Sequence, residues 1–203
     1  MGKSQKFRAI LVTLIVVAAV LIDQIIKVAV KLSMYMHESI PVFGDWFSIT
    51  FTENPGMAFG MELFDKLFLT SFRIAAVIFL IYYLYKIVHN AKFPIGYRVC
   101  IALVLAGAAG NIIDCLFYGE IFTESTYYNV AEIVPWGEGY GDFMYGRVVD
   151  MFYFPLFVWP DWLPLVGGDI FFSPIFNFAD ACVSCSVIML MLFYSKYVSM
   201  QFR

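Results

Sequence analysis

Long apolar stretches alternate with more polar segments along this chain. Four of them stand out and cover roughly residues 9–30, 67–88, 99–118 and 175–194. Each has about the 20 residues that an α-helix needs to cross ~30 Å of hydrocarbon. Backbone groups in lipid must pair with one another, and no series of short alternating strands is visible in the sequence. The pattern therefore predicts an α-helical integral membrane protein with four transmembrane helices.

The composition also favours a membrane protein. Of the 203 residues, 62% are hydrophobic and 14% are charged, whereas about half and about a quarter are usual in soluble domains. We expect residues 1–203 to form a single membrane domain. The first stretch also has the basic start and apolar core of a secretory signal peptide. It continues past Asp23 to Val30, which favours a retained span over a cleaved one.

The charges outside the spans predict the orientation of the chain. Both ends of the chain and the link between the second and third spans contain bases but no acids: Lys3, Lys6, Arg8, Lys86, Lys92, Arg98, Lys196 and Arg203. The other two loops, residues 32–66 and 119–173, hold most of the acids. By the positive-inside rule, both termini are cytoplasmic and both acidic loops lie on the outer side.

The outer loops are predicted to form a small β-rich flap. Residues 43–52 combine aromatic and β-branched residues with partial alternation, which favours one or two strands. Asn54-Pro55-Gly56 is a turn signal. The apolar side chains that follow suggest that the flap lies on the membrane surface: Met57, Phe59, Met61 and Leu63. In the second loop, residues 123–144 have no clear period, and residues 151–159 favour a strand or an interfacial segment.

Two carboxylates in apolar surroundings are the strongest functional candidates. Asp180 lies about one turn inside the last predicted span, and a charge at the centre of a membrane helix costs roughly 2.5–3.5 kcal/mol. Asp150 is the other acid set in an apolar run, Gly146-Arg147-Val148-Val149-Asp150-Met151. Two acids held close together cannot both ionise cheaply, so one keeps its proton near neutral pH. The other acid can then accept a proton from water while the protonated one donates to a carbonyl oxygen. Such a pair suits peptide hydrolysis without a metal or a covalent intermediate.

Other polar residues in the spans have two interpretations each. Asp23 and Lys27 share a helix face, as either a structural ion pair or members of the active cluster. We favour the ion pair, with Lys31 extending to the membrane interface. Asn111 and Asp114 also share a face. They either orient groups in a cavity or form a hydrogen bond between helices.

Two further features of the spans favour packing. The run of small residues at 106–110 predicts close approach of another helix. The second span carries Arg73 but no acid, and we expect this base to reach the outer interface in a structural role.

The cysteines and histidines do not favour a metal site. Cys182 and Cys185 have the spacing of a redox or metal motif, but no second pair or flanking histidine accompanies them. His37 and His89 fall on opposite sides of the predicted membrane. We therefore expect no metal and no cofactor.

Several motifs occur in order along the predicted spans. They are Asn54-x-Gly56-x-Ala58-Phe59-Gly60, Gly110-Asn111-x-x-Asp114, Val148-Val149-Asp150 and Phe176-Asn177-x-Ala179-Asp180. Together they cover nearly the whole chain, and the set resembles lipoprotein signal peptidase, a family of membrane aspartyl proteases also called signal peptidase II. Asp23 and Lys27 are similar to the first-span pair of that family.

The resemblance implies that Asp150 and Asp180 form a catalytic dyad. It also implies dyad-supporting or substrate-binding roles for Asn54, Gly56, Asn111, Asp114 and Asn177. Members of the family cleave diacylglyceryl-modified prolipoproteins before the lipobox cysteine, at the outer face of the bacterial inner membrane, and globomycin inhibits them. We therefore expect a prolipoprotein substrate and membrane lipid as partners, a monomer, and no nucleic acid.

The chain departs from the family pattern at three places. The family often has arginine after the Gly-Asn-x-x-Asp motif, where this chain has Cys115. Arg147 is the candidate for the substrate-contacting cation in its place. The segments on both sides of Asp150 are longer than in compact members, and Met57 replaces a small residue beside the turn. We expect the longer segments to alter the rim of the site and Met57 to narrow the pocket beside the turn.

Two other classes of protein remain open from the sequence. A proton-coupled carrier also uses intramembrane aspartates, but it predicts internal repeats and broken helices with acids near the midplane. The sequence indicates neither feature. A non-catalytic assembly protein would use the polar residues for helix association and predicts that Asp→Asn changes leave function intact.

Overall fold

The computed structural model describes residues 3–56 and 66–199. The described helices are α1 (Lys3–Lys31), α2 (Lys66–His89), α3 (Ile95–Ile113), α4 (Gly119–Ile121), α5 (Phe178–Phe193) and α6 (Ser195–Ser199), with a π-helical turn at Asp114–Tyr118 between α3 and α4. The apolar flap residues Met57, Phe59, Met61 and Leu63 and the motif residues Ala58 and Gly60 lie outside the described residues.

Three helices in the described part of the chain are long and apolar enough to cross a membrane. They are Gln5–Lys31, Lys66–His89 and the continuous segment Ile95–Ile121. The prediction of an α-helical membrane protein is therefore confirmed. The fourth predicted span is shorter than expected, because α5 begins at Phe178 and has 16 residues. The count of four spans stays a prediction.

Helix α3 is the centre of the helical bundle and packs against α1, α2 and α5. Glycines make the closest approach possible. A Cβ on Gly107 would lie 2.3 Å from the backbone oxygen of Ala179, and one on Gly110 would lie 2.5 Å from Oδ2 of Asp23. The close approach predicted from the small residues is confirmed. It brings the start of α5 and the C-terminal half of α1 against α3.

A three-stranded antiparallel sheet packs against the end of the bundle formed by the C-terminal end of α1 and the π-helical turn. Its order is β1 (Ser39–Phe43), β2 (Phe47–Asn54) and β3 (Val148–Tyr153). The strands predicted over residues 43–52 are confirmed. The strand in the second loop begins at Val148, earlier than the predicted segment 151–159, so Asp150 lies inside it. A separate hairpin joins β4 (Phe157–Val158) to β5 (Ile170–Phe171).

One face of the sheet packs on a hydrophobic cluster that also includes the C-terminal end of α1 and the π-helical turn. Its buried members are Val30, Met34, Phe51, Tyr118, Phe122, Val149 and Met151. Val149 and Met151 of β3 fill this cluster, and because side chains alternate along a strand, Asp150 between them points to the opposite face. The strand therefore holds an acid against the helices while its neighbours anchor it.

The prediction that Lys31 reaches the membrane interface is wrong. Lys31 is fully buried and forms an ion pair with Glu53 of β2. Its Nζ also donates a 3.0 Å hydrogen bond to Ser125 Oγ, which in turn donates one of 2.8 Å to Glu53. A nearby acid on the sheet keeps this lysine inside the protein, and the contact ties α1 to β2 and to the second outer loop.

Candidate active site

Asp150 lies in the middle of β3 and is buried. It pairs in register with Thr52 of β2, and its carboxylate points towards the helical bundle. The position is fixed on both sides, because Val149 and Met151 are completely buried in the hydrophobic cluster. The sheet thus presents one carboxylate to the start of α5.

Asp180 lies in the first turn of α5, where it takes part in a capping box. The side chain of Asn177 accepts a 2.9 Å hydrogen bond from the Asp180 backbone N–H, and Asp180 Oδ2 accepts one of 3.4 Å from the Asn177 N–H. This reciprocal cap satisfies helix N–H groups that have no partner in the helix. It also explains why the helix begins at Phe178, three residues after the predicted start.

Two backbone contacts bring the cap of α5 to the strand that carries Asp150. Phe152 and Phe176 form an isolated antiparallel bridge, with N–H···O distances of 2.7 Å and 3.1 Å. The next residue after Phe176 is Asn177. The strand and the helix cap are therefore joined directly beside both acids.

Two asparagines connect the two carboxylates. Asn177 Nδ2 donates to Asp150 Oδ1 at 2.6 Å and to Asn111 Oδ1 at 3.1 Å. Asn111 Nδ2 donates to Asp180 Oδ1 at 2.8 Å. The structure thus gathers four of the residues singled out from the sequence into one hydrogen-bonded network. We call Asp150 and Asp180 the acid pair.

An ion cluster of Asp23, Lys27 and Asp114 lies behind the acid pair. Lys27 Nζ is 2.9 Å from Asp23 Oδ2 and 2.8 Å from Asp114 Oδ2, and all three side chains are buried. Lys27 also donates a 2.8 Å hydrogen bond to Asn111 Oδ1. The ion pair predicted within α1 is therefore present. It extends to α3 and to the asparagine that contacts Asp180.

The ion cluster also holds the elements that carry the acid pair. Asp23 Oδ1 accepts a 2.9 Å hydrogen bond from the backbone N–H of Ala179, in the first turn of α5. Asp114 Oδ2 accepts one of 3.2 Å from the N–H of Val149, next to Asp150. Each acid of the cluster thus fixes the backbone beside one member of the acid pair.

Gln24 is a polar residue of this region that the sequence analysis did not single out. Its Nε2 donates 2.9 Å to Asp114 Oδ1 and 3.2 Å to Asp23 Oδ2, and its Oε1 accepts a hydrogen bond from Tyr118. Its place beside Asp23 in an apolar span was the available signal. The π-helical turn that begins at Asp114 is also of a kind found at functional sites.

Asp150 and Asp180 lie in different electrostatic surroundings. Burial and then the negative charge of Asp180 raise the pKa of Asp150 to about 7. Asp180 is only partly buried, and it accepts two N–H hydrogen bonds at the N-terminus of a helix, where negative charge is favoured. The arrangement can therefore keep Asp150 protonated near neutral pH.

Among the described residues, the predicted site residues Asn54, Gly56 and Arg147 make their contacts away from the acid pair. Asn54 is exposed at the end of β2 and accepts a 2.8 Å hydrogen bond from the N–H of Gly56, which has a φ of +88°. Arg147 binds Glu124 at 3.0 Å and Glu53 at 3.5 Å. Among the described residues, the contacts of Arg147 belong to the outer loops and not to the acid pair.

Arg73, to which the sequence analysis gave only a structural role at the membrane interface, lies close to two of the predicted site motifs. Its Nη1 donates a 3.1 Å hydrogen bond to Cys115 Sγ. A Cβ on Gly56 would lie 3.6 Å from both of its Nη atoms. The guanidinium therefore lies between the turn after β2 and the π-helical turn. Its signal in the sequence was a base inside an apolar span.

Apolar helices that bring two carboxylates together beside a small sheet define a helical membrane protein with a candidate acid–base site. Comparison with known proteins identifies the family. The model described as Signal peptidase (SPase) II matches residues 15–196, and the chain belongs to this aspartic peptidase family.

Similar proteins from several bacteria agree with this assignment. A lipoprotein signal peptidase of Porphyromonas gingivalis is 48% identical over 93% of this chain and 84% of its own length. One of Amoebophilus asiaticus is 36% identical over 88% of this chain and 75% of its own. A bacterial membrane enzyme solved by the in meso method at 1.9 Å has a TM-score of 0.60 and 26% identity, covering 89% of this chain and 90% of that one.

Proposed function

We propose that this protein removes the signal peptide from diacylglyceryl-modified prolipoproteins, cutting before the lipobox cysteine, with Asp150 and Asp180 as the catalytic dyad. One observation carries the assignment of the dyad. Asn177 caps the helix that holds Asp180 and donates to Asp150 at 2.6 Å, so a single side chain sets both carboxylates at one site. The names of the similar proteins support the substrate class.

In the first step, the ionised Asp180 takes a proton from a water molecule between the two acids. The water oxygen attacks the carbonyl carbon of the scissile peptide bond, and the protonated Asp150 donates its proton to the carbonyl oxygen. A neutral tetrahedral diol results. General acid and general base catalysis each contribute about 10²–10⁴-fold to such a reaction.

In the second step, the proton now on Asp180 passes to the leaving nitrogen, which becomes the amino group of the lipidated cysteine. Asp150 takes back a hydroxyl proton from the diol as the C–N bond breaks. Both acids return to their starting states, and the products are a free carboxyl group and a free amine. Asn111 and Asn177 hold the two carboxylates at a fixed spacing throughout.

The membrane arrangement follows from the charges and the position of the acids. We propose a single membrane domain over residues 1–203 with four spans, in which α5 extended by its flanking residues is the fourth. Both termini are cytoplasmic, and the acid pair lies at the outer face of the bacterial inner membrane, next to lipid. The enzyme acts as a monomer, and a globomycin-type peptide inhibitor binds at the acid pair.

The test uses the purified full-length protein in lipid bicelles and a synthetic diacylglyceryl-modified prolipoprotein peptide. We expect the wild-type protein to cleave before the lipidated cysteine and both Asp150→Asn and Asp180→Asn to lose at least about 10³-fold in kcat, since either change removes one proton transfer. The products are identified by mass spectrometry.

Asp142→Asn is the matched control, because Asp142 is an exposed acid of the same outer loop. This variant is expected to cleave at the wild-type rate. Full cleavage by either dyad variant, with the control behaving normally, would remove the assignment of the acid pair. Cleavage of an unlipidated peptide at the same rate would instead remove the substrate class.

A further inference from the structure

Arg73 is a cation in an apolar helix with little to neutralise it. None of the ion pairs within residues 3–56 and 66–199 includes it. Its hydrogen bond to Cys115 Sγ, at 3.1 Å, uses one of the five N–H donors of a guanidinium, and sulfur is a weak acceptor. A base within a membrane helix is costly and usually faces a cavity or a partner. Among the described residues, no oxygen acceptor holds its remaining donors, and this arrangement suits a bound molecule that carries carbonyl oxygens.

Arg73 lines a cavity of about 150 Å³. The cavity is lined by Phe72, Arg73, Ala76, Ala108 and Asn111. Asn111 donates to Asp180 Oδ1 at 2.8 Å, so one lining side chain of the cavity contacts the acid pair. The cavity thus links Arg73 to the place where the peptide bond is cleaved.

The guanidinium is held in place on two sides. Gly56, in the turn that follows β2, lies against the Nη atoms of Arg73. Cys115 accepts a hydrogen bond from the guanidinium on the side of the π-helical turn. The cavity walls contributed by Phe72, Ala76 and Ala108 are apolar. A peptide entering such a place loses the water on its carbonyl oxygens, which costs free energy unless donors replace that water.

We propose that Arg73 is a substrate-binding residue whose guanidinium donates hydrogen bonds to backbone carbonyl oxygens of the substrate beside the scissile bond. The inference rests on the proposed function and assigns the substrate-contacting cation to α2, not to Arg147. The small Cys115 leaves the volume that Arg73 fills. An arginine at position 115 would bring a guanidinium to the same place from the π-helical turn.

The experiment measures kcat and KM for the lipidated peptide with Arg73→Ala, Arg73→Lys and Arg73→Gln in bicelles. We expect KM to rise about 10- to 100-fold in Arg73→Ala with a smaller change in kcat, since lost carbonyl contacts weaken binding of the substrate. Arg73→Lys keeps the charge and is expected to lie between Arg73→Ala and the wild type. Lys86→Ala removes an exposed cation near the other end of α2 and is expected to leave KM unchanged.

The decisive variant carries Arg73→Ala together with Cys115→Arg. If substrate binding depends on a guanidinium at this place, the arginine introduced at position 115 restores at least about a third of the kcat/KM that Arg73→Ala alone loses. An ether-linked substrate separates two sources of carbonyl oxygen, because it lacks the ester carbonyls of the diacylglycerol. We expect Arg73→Ala to lower kcat/KM by the same factor with this substrate as with the ester-linked one. If Arg73→Ala has no effect on the ether-linked substrate, Arg73 contacts the lipid carbonyls and not the peptide backbone, which would overturn the proposal.

The remaining outcomes separate this inference from the proposed function. An unchanged KM in Arg73→Ala, with active wild-type protein and inactive Asp150→Asn, overturns the role of Arg73 alone. A loss confined to kcat with a lowered Tm, and no rescue by Cys115→Arg, also overturns it. A wild-type protein that does not cleave the lipidated peptide overturns the proposed function instead. If Arg73→Ala does not fold, Arg73→Gln and the rescued double variant decide.

Discussion

Asn177 donates a 2.6 Å hydrogen bond to Asp150, a residue 27 positions earlier in the chain. The same side chain accepts the backbone N–H of Asp180. One asparagine therefore serves as the cap of α5 and as the link between its first turn and the sheet. This double use couples the stability of the helix start to the geometry of the proposed dyad, and the two effects are separable by substitution.

The first prediction separates the cap from the bridge. Serine is a good N-cap residue but is too short to keep the contact with Asp150. We expect Asn177→Ala to lose about 1 kcal/mol of unfolding free energy through the cap, and Asn177→Ser to lose less. Both variants should lose on the order of 10²-fold in kcat, because a misplaced catalytic group costs about that much. Thermal unfolding and cleavage kinetics of the same preparations give the two quantities. A rate that tracks stability across both variants would contradict the bridging role.

The second prediction concerns the pH dependence of cleavage. Since burial and Asp180 raise the pKa of Asp150 to about 7, Asp150 loses its proton as the pH rises through about 7. The proposed mechanism needs that proton for the carbonyl oxygen. We expect kcat/KM to fall above about pH 7, with a limb that corresponds to one ionisation. A constant kcat/KM up to about pH 9 would contradict the role of Asp150 as the proton donor.

The third prediction concerns stability and follows from the same raised pKa. The folded value of about 7 exceeds the unfolded value of 3.8, so the folded state binds this proton more tightly. The stabilising contribution is complete below about pH 4 and is lost as the pH rises through about 7. Asp150→Asn cannot ionise. Its Tm relative to the wild type is therefore expected to increase from about pH 4 to about pH 8, and a constant difference would contradict the assignment.

From the sequence we predicted that Asp150 and Asp180 share one site, that the small residues of α3 allow close helix packing, and that Asp23 pairs with Lys27. Each of these residues stands out as polar or small in an apolar background. Apolar periodicity also predicted the long helices. The start of α5 was missed by three residues, because apolar composition does not reveal a cap. Only the contact of Asn177 with Asp180 shows where the helix begins.

Contacts between distant segments account for the other differences. Lys31 was expected at the interface because nothing near it in sequence neutralises it, whereas its partner Glu53 comes from β2. Arg147 was the nearest base to Asp150 in sequence, but strand alternation and two acids direct it to the outer loops. Arg73 reaches Cys115, 42 positions later, through the packing of α2 on α3. Pairings of this kind depend on tertiary structure and not on local pattern.

The fourth prediction concerns Lys27, which is completely buried between two acids. Lys27→Met leaves Asp23 and Asp114 without their cation, and breaking a buried ion pair in this way costs about 3–5 kcal/mol. Adding Asp114→Asn removes one of the stranded charges, so the double variant is expected to be more stable than Lys27→Met alone. Lys86→Met, which removes an exposed cation, should cost less than about 1 kcal/mol. Equal effects of Lys27→Met and Lys86→Met on thermal unfolding would show that the cluster does not support the fold.

The fifth prediction tests the close packing of α3 on α1 and α5. A Cβ on Gly110 would lie 2.5 Å from Asp23 Oδ2 and 3.3 Å from Ala179 Cβ, and overpacking of this kind costs about 1–3 kcal/mol. Asp23 also holds the N–H of Ala179, one residue before Asp180. We therefore expect Gly110→Ala to lower both the Tm and kcat. Gly141→Ala is the control, since nothing lies within 4 Å of its added Cβ. An undisturbed Tm in Gly110→Ala would contradict the tight contact, and a lowered Tm with normal kcat would show that the start of α5 does not depend on it.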